Sequence, residues 1–243
     1  MKKNKPEDSE RWIAWLKTLS DTIQTPKGYL IPLLVTIGNH EVKGRYLQTP
    51  KEAPFFYTLF PTPDDRCYRA LHFGTYMGIT FLDSGHTHPV DGEQTEWLAQ
   101  ELAAQKHYAH RFALYHIPAY PSVRSFRQQY STTIRRHWTP IFERFRLHVA
   151  FENHDHAYKR TYPLVEGDVH PLGVVYLGDG SWGAQPRIPK SADHSNYLAK
   201  TASARQFIKV TVANDRREFW SITSEGKIID HYVQLIHNPK NEN

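Results

Sequence analysis

Residues 29–41 read Tyr-Leu-Ile-Pro-Leu-Leu-Val-Thr-Ile-Gly-Asn-His-Glu, an apolar run that ends abruptly in polar side chains. The apolar and β-branched part, residues 29–37, predicts a buried β-strand that leads into a loop. Gly38 lets the backbone turn tightly at the end of that strand. Asn39 then offers a neutral amide oxygen that can ligate a metal ion, and His40 can donate a proton. An ordinary turn is the alternative for Asn39, although it gives His40 no role.

Two further histidine motifs come directly after apolar, strand-like segments. One is His116, and the other is the run His154-Asp155-His156. Loops beyond strand ends build the functional sites of layered α/β proteins, so we expect three separate loops to converge on one point. In an extended segment, His154 and His156 share one face while Asp155 points away. Taken singly, His116 also fits a buried core histidine, and the histidine pair also fits a chance surface pair.

The rest of the chain predicts an α/β protein with a single domain over residues 1–243. Helical periodicity predicts α-helices over 9–23, 92–104 and 134–145. Short apolar runs predict strands over 68–73, 77–82, 111–115, 147–151 and 173–177. Alternation of apolar and polar residues predicts a three-stranded meander over 207–212, 218–223 and 227–233.

Composition and charge argue against several classes of protein. The formal net charge of +5 favours the approach of phosphorylated substrates, while no run of Lys and Arg resembles a nucleic-acid-binding arm. No apolar run approaches the roughly 18 residues that a membrane span needs. No signal peptide is visible at the start of the chain. The single cysteine, Cys67, excludes an internal disulfide.

These motifs together resemble the calcineurin-like metallophosphoesterases, and most closely the purple acid phosphatase branch. The resemblance rests on Gly-Asn-His-Glu at 38–41, on His116 within His-x-Pro-x-Tyr, and on Asn-His-Asp-His-Ala-Tyr-Lys-Arg at 153–160. Supporting matches, in the family's order, lie at 81–84, 94–98 and 173–176. The resemblance implies the four-layer αββα sandwich of that family. It also implies a secreted or periplasmic location.

The resemblance implies a role for each motif residue. Asn39, His116 and His154 ligate one metal ion, and His156 ligates the other. The two ions (Fe, Zn or Mn) neutralise phosphoryl charge and lower the pKa of a bound water from about 15.7 toward 7, so that hydroxide attacks phosphorus. His40 then protonates the leaving group as a general acid. The implied substrates are small phosphate esters or phosphoproteins, with no nucleic acid and no membrane as partner.

Three more residues are candidate phosphate or pocket-rim contacts. They are Tyr120, Arg124 and Arg127. For each arginine, the alternative is a solvated surface position.

Two family motifs that should precede Gly-Asn-His-Glu have no counterpart in the chain. One is Asp-x-Gly or Asp-x-His, and the other is Gly-Asp-x-x-Tyr, whose aspartate bridges both metals. We therefore expect an N-terminally incomplete sandwich that lacks two central strands and retains as few as one of the two metal ions. The alternative to an active phosphoesterase is a non-catalytic domain or a split-gene fragment. A partner or upstream polypeptide could supply the missing motifs.

Other carboxylates are candidates to replace the missing ligands. They are Glu41, Asp83, Glu152 and Asp179. Asp83 is the best of them because it lies at a predicted strand end. Its alternative role is ordinary hydrogen bonding within the loop.

Overall fold

The structure, a computed structural model, describes residues 8–178, 180–192 and 195–236. Its α-helices are α1 (Ser9–Thr22), α2 (Pro54–Leu59), α3 (Glu93–Ala104), α4 (Gln129–His137) and α5 (Thr139–Arg144), with short 3-10 helices at Pro50–Glu52 and Pro63–Asp65. Within these ranges every helix is too short or too polar to cross a lipid bilayer. The helix predicted over 134–145 is in fact two, because Pro140 lacks an N–H group and is best placed in the first turn of a new helix.

A seven-stranded mixed sheet is the centre of the fold. Its strands are β1 (Arg69–Phe73), β2 (Met77–Phe81), β3 (His110–Tyr115), β4 (Val149–Glu152), β5 (Tyr158–Thr161), β8 (Val175–Gly178) and β9 (Leu198–Ala202). The spatial order is β1-β2-β3-β4-β8-β5-β9. Strands β2, β3, β4 and β8 run parallel, so their carboxyl ends meet at one edge of the sheet. The loops after β3 and β4 are those that carry the predicted histidines.

A smaller antiparallel sheet covers one face of the large sheet. It consists of β10 (Gln206–Val212), β11 (Arg216–Thr223) and β12 (Ile228–Leu235), which confirms the predicted meander. A hairpin of β6 (Leu164–Val165) and β7 (Asp168–Val169) completes the strands of the described residues. Every second residue of β11 is buried, so one face of the small sheet packs inward.

The core lies on both faces of the large sheet. On one face, Leu98 of α3, Phe142 of α5 and Trp138, which lies between α4 and α5, pack with Tyr115 of β3. On the other face, side chains of β3, β4 and β8 pack against Phe219 of β11. The described residues thus form helices, a large sheet and a small sheet, which are three of the four predicted layers. The predicted α/β class is confirmed.

The prediction of a buried strand over residues 29–37 is wrong for most of that segment. The side chain of Tyr29 is 70% exposed and that of Leu30 is 61% exposed, and only Ile37 at the end is buried. Among the described residues, no strand pairs with this segment beyond a single bridge between Gln24 and Leu30. The apolar composition correctly indicated a segment suited to burial, but a strand forms only where a neighbour supplies the hydrogen bonds.

The exposed segment lies beside α1 and shares a groove with it. Leu16 and Leu19 of α1 line one side, and Leu30 and Leu33 line the other. Helix α1 itself has no buried residue, although its predicted amphipathic character is present. The two elements therefore leave an apolar surface open to solvent, which is a feature of sites that bind another polypeptide.

Replacing Leu33 by lysine should leave stability almost unchanged. A substitution on an exposed surface usually changes the free energy of unfolding by less than about 0.5 kcal/mol. The matched control is Leu102→Ala in α3, which removes a fully buried side chain and should cost about 2–5 kcal/mol. Urea denaturation of both variants measures the difference. A loss of several kcal/mol in Leu33→Lys would show that this segment is packed after all.

A cluster of basic side chains surrounds His148 at the start of β4. The Nδ1 atom of His148 accepts a hydrogen bond of 3.0 Å from the backbone N–H of Arg111. Burial and the charges of Arg217, Arg111 and His110 lower the pKa of His148 to about 2. His148 is therefore a neutral acceptor in the folded chain across the ordinary pH range.

Because folded His148 stays neutral, we expect the folded chain to lose stability in acid. Between about pH 6.5 and pH 2 the unfolded chain binds a proton that folded His148 does not, so stability falls as pH falls, by about 1.4 kcal/mol per pH unit for one proton. His148→Asn keeps an acceptor but cannot titrate. We expect its free energy of unfolding to decline less steeply from pH 6 to pH 4. Exposed His107→Asn is the control, and equal slopes in wild type and His148→Asn would contradict the prediction.

Candidate metal centre

Three loops bring their predicted ligands to one point. Oδ1 of Asn39 lies 2.8 Å from Nε2 of His116. The same Nε2 atom lies 2.9 Å from Nδ1 of His154. The chain separations are 77 and 38 residues, so only the fold brings these donors together. The spacing suits ligand atoms around one cation at about 2.0–2.2 Å.

The two imidazoles are in the protonation state that binds a metal. Burial and the neighbouring histidines, first among them His86, hold the pKa of His116 well below its ordinary value. Burial and the charge of Arg124 lower the pKa of His154 to about 3. Both rings are therefore neutral near pH 7, and neutral imidazole is the form that ligates metal ions. With the amide oxygen of Asn39, they fit a single cation.

Gly38 is required for the close approach of its loop to His116. A Cβ atom at this position would lie 2.9 Å from Oε2 of Glu41 and 3.0 Å from Nδ1 of His116. The carboxylate of Glu41 accepts the Gly38 N–H at 2.9 Å, and burial raises the pKa of Glu41. Glu41 thus closes its own turn at the edge of the site.

The segment His154-Asp155-His156 is not extended, contrary to the prediction. Both histidines have φ of 53°, in the left-handed region. Asp155 does point away, because its Oδ2 accepts the backbone N–H groups of Ser122 and Val123 at 2.6 and 2.8 Å. These contacts to another loop bend the segment, which spacing along the chain could not indicate.

His40 and His156 border an electropositive region beside the three donors. Burial and the charges of Arg45, Arg124 and Arg187 lower the pKa of His40. Burial, Arg187, Arg124 and His40 lower the pKa of His156. Arg124 and Arg187 contribute to the lowered pKa of both histidines, so positive charge acts on this pair. Such charge attracts a phosphate dianion.

The carboxylates proposed as replacement ligands are engaged elsewhere. Asp83 is buried and accepts backbone N–H groups of His86, Thr87 and His88. Glu152 pairs with buried Lys159. The alternative, loop hydrogen bonding, is therefore correct for Asp83, and Asp179 lies outside the described residues. Among the described residues, Asn39, His116 and His154 fit one cation, while Glu41, Asp83 and Glu152 are held by these other contacts.

The placement of Tyr120 at a substrate rim is wrong. Its side chain is 2% exposed, and its ring packs against those of Tyr176 and Tyr197, with centroids 4.5 and 5.5 Å apart. Arg124 is half-buried and donates to the carbonyl of His154 at 2.5 Å and to Oδ1 of Asp155 at 2.9 Å. Arg127 is exposed, in agreement with its alternative role.

Sequence reasoning missed His86, whose ring centroid lies 5.4 Å from that of His116. Its Nδ1 lies 2.8 Å from the carbonyl of Arg45. The adjacent Ser84 hydroxyl accepts the N–H of Ile117 at 2.9 Å and so ties two site loops together. His86 follows the end of β2 by a few residues, so the rule that selected the other histidines could have found it.

Comparison with known proteins identifies the relatives of this chain. No protein-family model matches it. It is 25% identical over 183 residues to purple acid phosphatase 15 of Arabidopsis thaliana, which covers 73% of the chain and 33% of the relative. It is 25% identical over 177 residues to purple acid phosphatase 23 of the same plant, which covers 70% and 37%. The chain is a homologue of the purple acid phosphatases. It spans about a third of the length of these relatives.

Solved structures agree with this purple acid phosphatase-like fold. The phosphatase PPD1 of yellow lupin (Lupinus luteus) has a TM-score of 0.69 at 15% identity and covers 86% of the chain and 41% of its own. GAP50 of Plasmodium, described as the anchor in the inner membrane complex, has a TM-score of 0.67 at 12% identity, covering 93% and 73%. PhoD has a TM-score of 0.61 at 13% identity, covering 83% and 50%. At these identities the likeness shows the fold, which is the metallophosphoesterase fold.

Proposed function

We propose that this chain is a metal-dependent phosphoesterase that hydrolyses phosphate esters. The observation that carries the proposal is that Nε2 of His116 lies 2.8 Å from Oδ1 of Asn39 and 2.9 Å from Nδ1 of His154, each on a different loop. A chance surface pair would not place neutral, desolvated imidazoles beside an amide oxygen. The kinship with purple acid phosphatases supports the same conclusion.

The five site residues have different roles in the proposed hydrolysis. Asn39, His116 and His154 would hold one cation, and His156 would contribute to a second position. Bound cations would supply neutralisation of phosphoryl charge and activation of water. His40 protonates the departing oxygen of the ester.

The surroundings of His40 favour an ester with an apolar or aromatic alcohol group. A groove beside His40 is lined by Trp12 and Trp15 of α1 and by Phe56 and Phe60. Aromatic side chains bury an apolar leaving group favourably. The charges of the arginines that lower the pKa of His40 attract the phosphate. This division supports a small phosphate ester or a phosphorylated side chain as substrate.

Hydrolysis of para-nitrophenyl phosphate tests the proposal. The wild-type chain is assayed with added Fe, Mn or Zn, and Asn39→Ala and His40→Ala are compared with exposed His107→Ala. We expect turnover in wild type and His107→Ala, and its loss in both site variants. Unchanged turnover in Asn39→Ala would contradict the assignment of the site.

A second candidate function is a non-catalytic domain that retains one metal ion. The observation in its favour is that, in the described part of the chain, Asn39, His116 and His154 have no carboxylate among their hydrogen-bond partners. The Plasmodium protein of similar fold is described as an anchor. This candidate predicts one metal ion per chain, and no turnover at saturating metal.

A partner polypeptide that supplies the missing carboxylates would make the chain active only in complex, which fits both candidate functions. The open apolar surface of α1 and residues 29–34 supports the docking of a segment that carries the missing Asp-x-Gly and Gly-Asp-x-x-Tyr motifs. Co-expression of the chain with such a segment from a purple acid phosphatase should raise both metal content and turnover. A segment whose motif aspartates are replaced by alanine is the control.

A further inference from the structure

A separate cluster of metal-ligating atoms lies around the loop that follows β2. Sγ of Cys67 lies 3.2 Å from Oδ2 of Asp83 and 3.6 Å from Nδ1 of His88. The Asp83 oxygen and the His88 nitrogen are 3.7 Å apart. Oγ1 of Thr87 lies 3.4, 2.8 and 3.2 Å from these three atoms in the same order. The four atoms form the corners of a compact tetrahedron.

We propose that Cys67, Asp83 and His88 bind a divalent cation, with Zn²⁺ as the preferred ion and Thr87 Oγ1 at the fourth corner. A tetrahedron with edges of 2.8–3.7 Å has a centre about 2 Å from each corner, close to the Zn–N and Zn–O distances of roughly 2.0–2.2 Å. Thiolate, imidazole and carboxylate are the three ligand types that tetrahedral zinc takes in proteins.

Asp83 is a buried anion that lacks a strong cationic partner. Among the described residues its ion pair is with His88 at 3.7 Å, and no lysine or arginine pairs with it. Burial opposes its ionisation, but hydrogen bonds from His88 and from the N–H groups of His86 and Thr87 outweigh that effect and lower its pKa to about 2. The carboxylate is therefore ionised, and a cation at this point would supply the opposite charge that it otherwise lacks.

Cation binding would leave the site electrically neutral. Burial raises the pKa of Cys67 well above its ordinary value, so its sulfur is protonated before the ion arrives. The ion displaces that proton to solvent, and a coordinated thiol is held as thiolate. His88 coordinates through Nδ1 with its proton on Nε2. The two positive charges then balance the Cys67 thiolate and the Asp83 carboxylate.

The proposed zinc site is open to an entering ion on one side, and a bound ion would have a structural role. The side chain of His88 is 21% exposed, so an ion can enter on that side. The Tyr57 hydroxyl, 2.7 Å from Thr87 Oγ1, orients the fourth donor. The ion would link the segment before β1 to the loop after β2. That loop carries His86, and this role does not depend on phosphoesterase activity.

Cobalt substitution tests the proposal directly, because Cys67 is the single cysteine of the chain. Titration with Co²⁺ should produce the near-ultraviolet charge-transfer absorption of a thiolate–cobalt bond, together with the visible bands of a tetrahedral ion. Excess Zn²⁺ should remove these bands. The Asn39→Ala/His116→Ala variant should keep them, which separates this site from the proposed phosphoesterase centre.

Two variants at the new site complete the test. Cys67→Ser should abolish the charge-transfer band. His88→Ala, at a partly exposed position, should weaken Co²⁺ binding by more than about 100-fold, since loss of a direct ligand exceeds the 10–100-fold effect of an outer partner. Circular dichroism in chelator checks that each variant folds. No charge-transfer band in folded wild type, or Co²⁺ affinity unchanged in His88→Ala, would overturn the proposal.

Discussion

His116→Ala will remove metal binding from the candidate centre. The Nε2 atom of His116 lies next to both other donors, 2.8 Å from Asn39 Oδ1 and 2.9 Å from His154 Nδ1. Without it, an amide oxygen and a single imidazole remain, and two ligands do not hold a divalent ion tightly. We expect affinity to fall by more than about 100-fold, beyond the effect of losing an outer partner. Phosphoesterase turnover should fall with it.

Elemental analysis of dialysed protein measures this loss independently of activity. Wild type should retain metal at the centre after loading with Fe, Mn or Zn, while His116→Ala should not. His107→Ala is the matched control, because it removes an exposed histidine. The Cys67→Ser background excludes any ion held at the other cluster. Equal metal content in His116→Ala and His107→Ala, in that background, would rule out the centre.

The convergence of the loops of His116 and His154 could be predicted because it depends on a general property of parallel strands. β2, β3 and β4 are neighbours that run in one direction, so the residues after them emerge at one edge. The alternating tail was equally predictable, since a period of two residues specifies a strand with one buried face. For these two loops and for the tail, the local sequence pattern alone indicates the structure that forms.

The errors arise where the outcome depends on contacts distant in sequence. The segment 29–37 has the composition of a buried strand, but no described strand pairs with it, and composition cannot supply a neighbour. Tyr120 lies shortly after His116, yet its ring packs against those of Tyr176 and Tyr197 and is buried in the core. The bend at Asp155 is set by Ser122 and Val123 from another loop.

Asp83 illustrates a different limit. A carboxylate at a strand end can ligate a metal or close a turn, and the sequence leaves both roles open. Three backbone N–H groups decide in favour of the turn. They also direct Asp83 Oδ2 toward Cys67 and His88, two residues that belong to none of the sequence motifs. Cys67 and His88 lie far enough apart in sequence that only the folded chain brings both beside Asp83.

Lys159→Met should cause one of the largest losses of stability in the chain. The ammonium group of Lys159 is buried, pairs with the buried carboxylate of Glu152 and donates to the carbonyl of Tyr120. Methionine has a similar shape, so the change removes charge with little change of volume. Glu152 then keeps the Tyr115 hydroxyl and the Ala119 N–H, both at 2.6 Å, but no counter-ion. Breaking a buried pair in this way costs about 3–5 kcal/mol.

Urea denaturation of three variants identifies the cause of this loss. Lys17→Met breaks an exposed pair with Asp21 and should change the free energy of unfolding by less than about 1 kcal/mol. Adding Glu152→Gln to Lys159→Met removes the uncompensated charge and should recover part of the loss. Failure of this rescue would show that lost packing, rather than the uncompensated charge, causes most of the loss of stability.

Because Glu152 ends β4 just before the loop of His154, Lys159→Met should also weaken metal binding, whereas Lys17→Met should not. We therefore expect the buried ion pair to contribute to stability and to position the loop that carries His154.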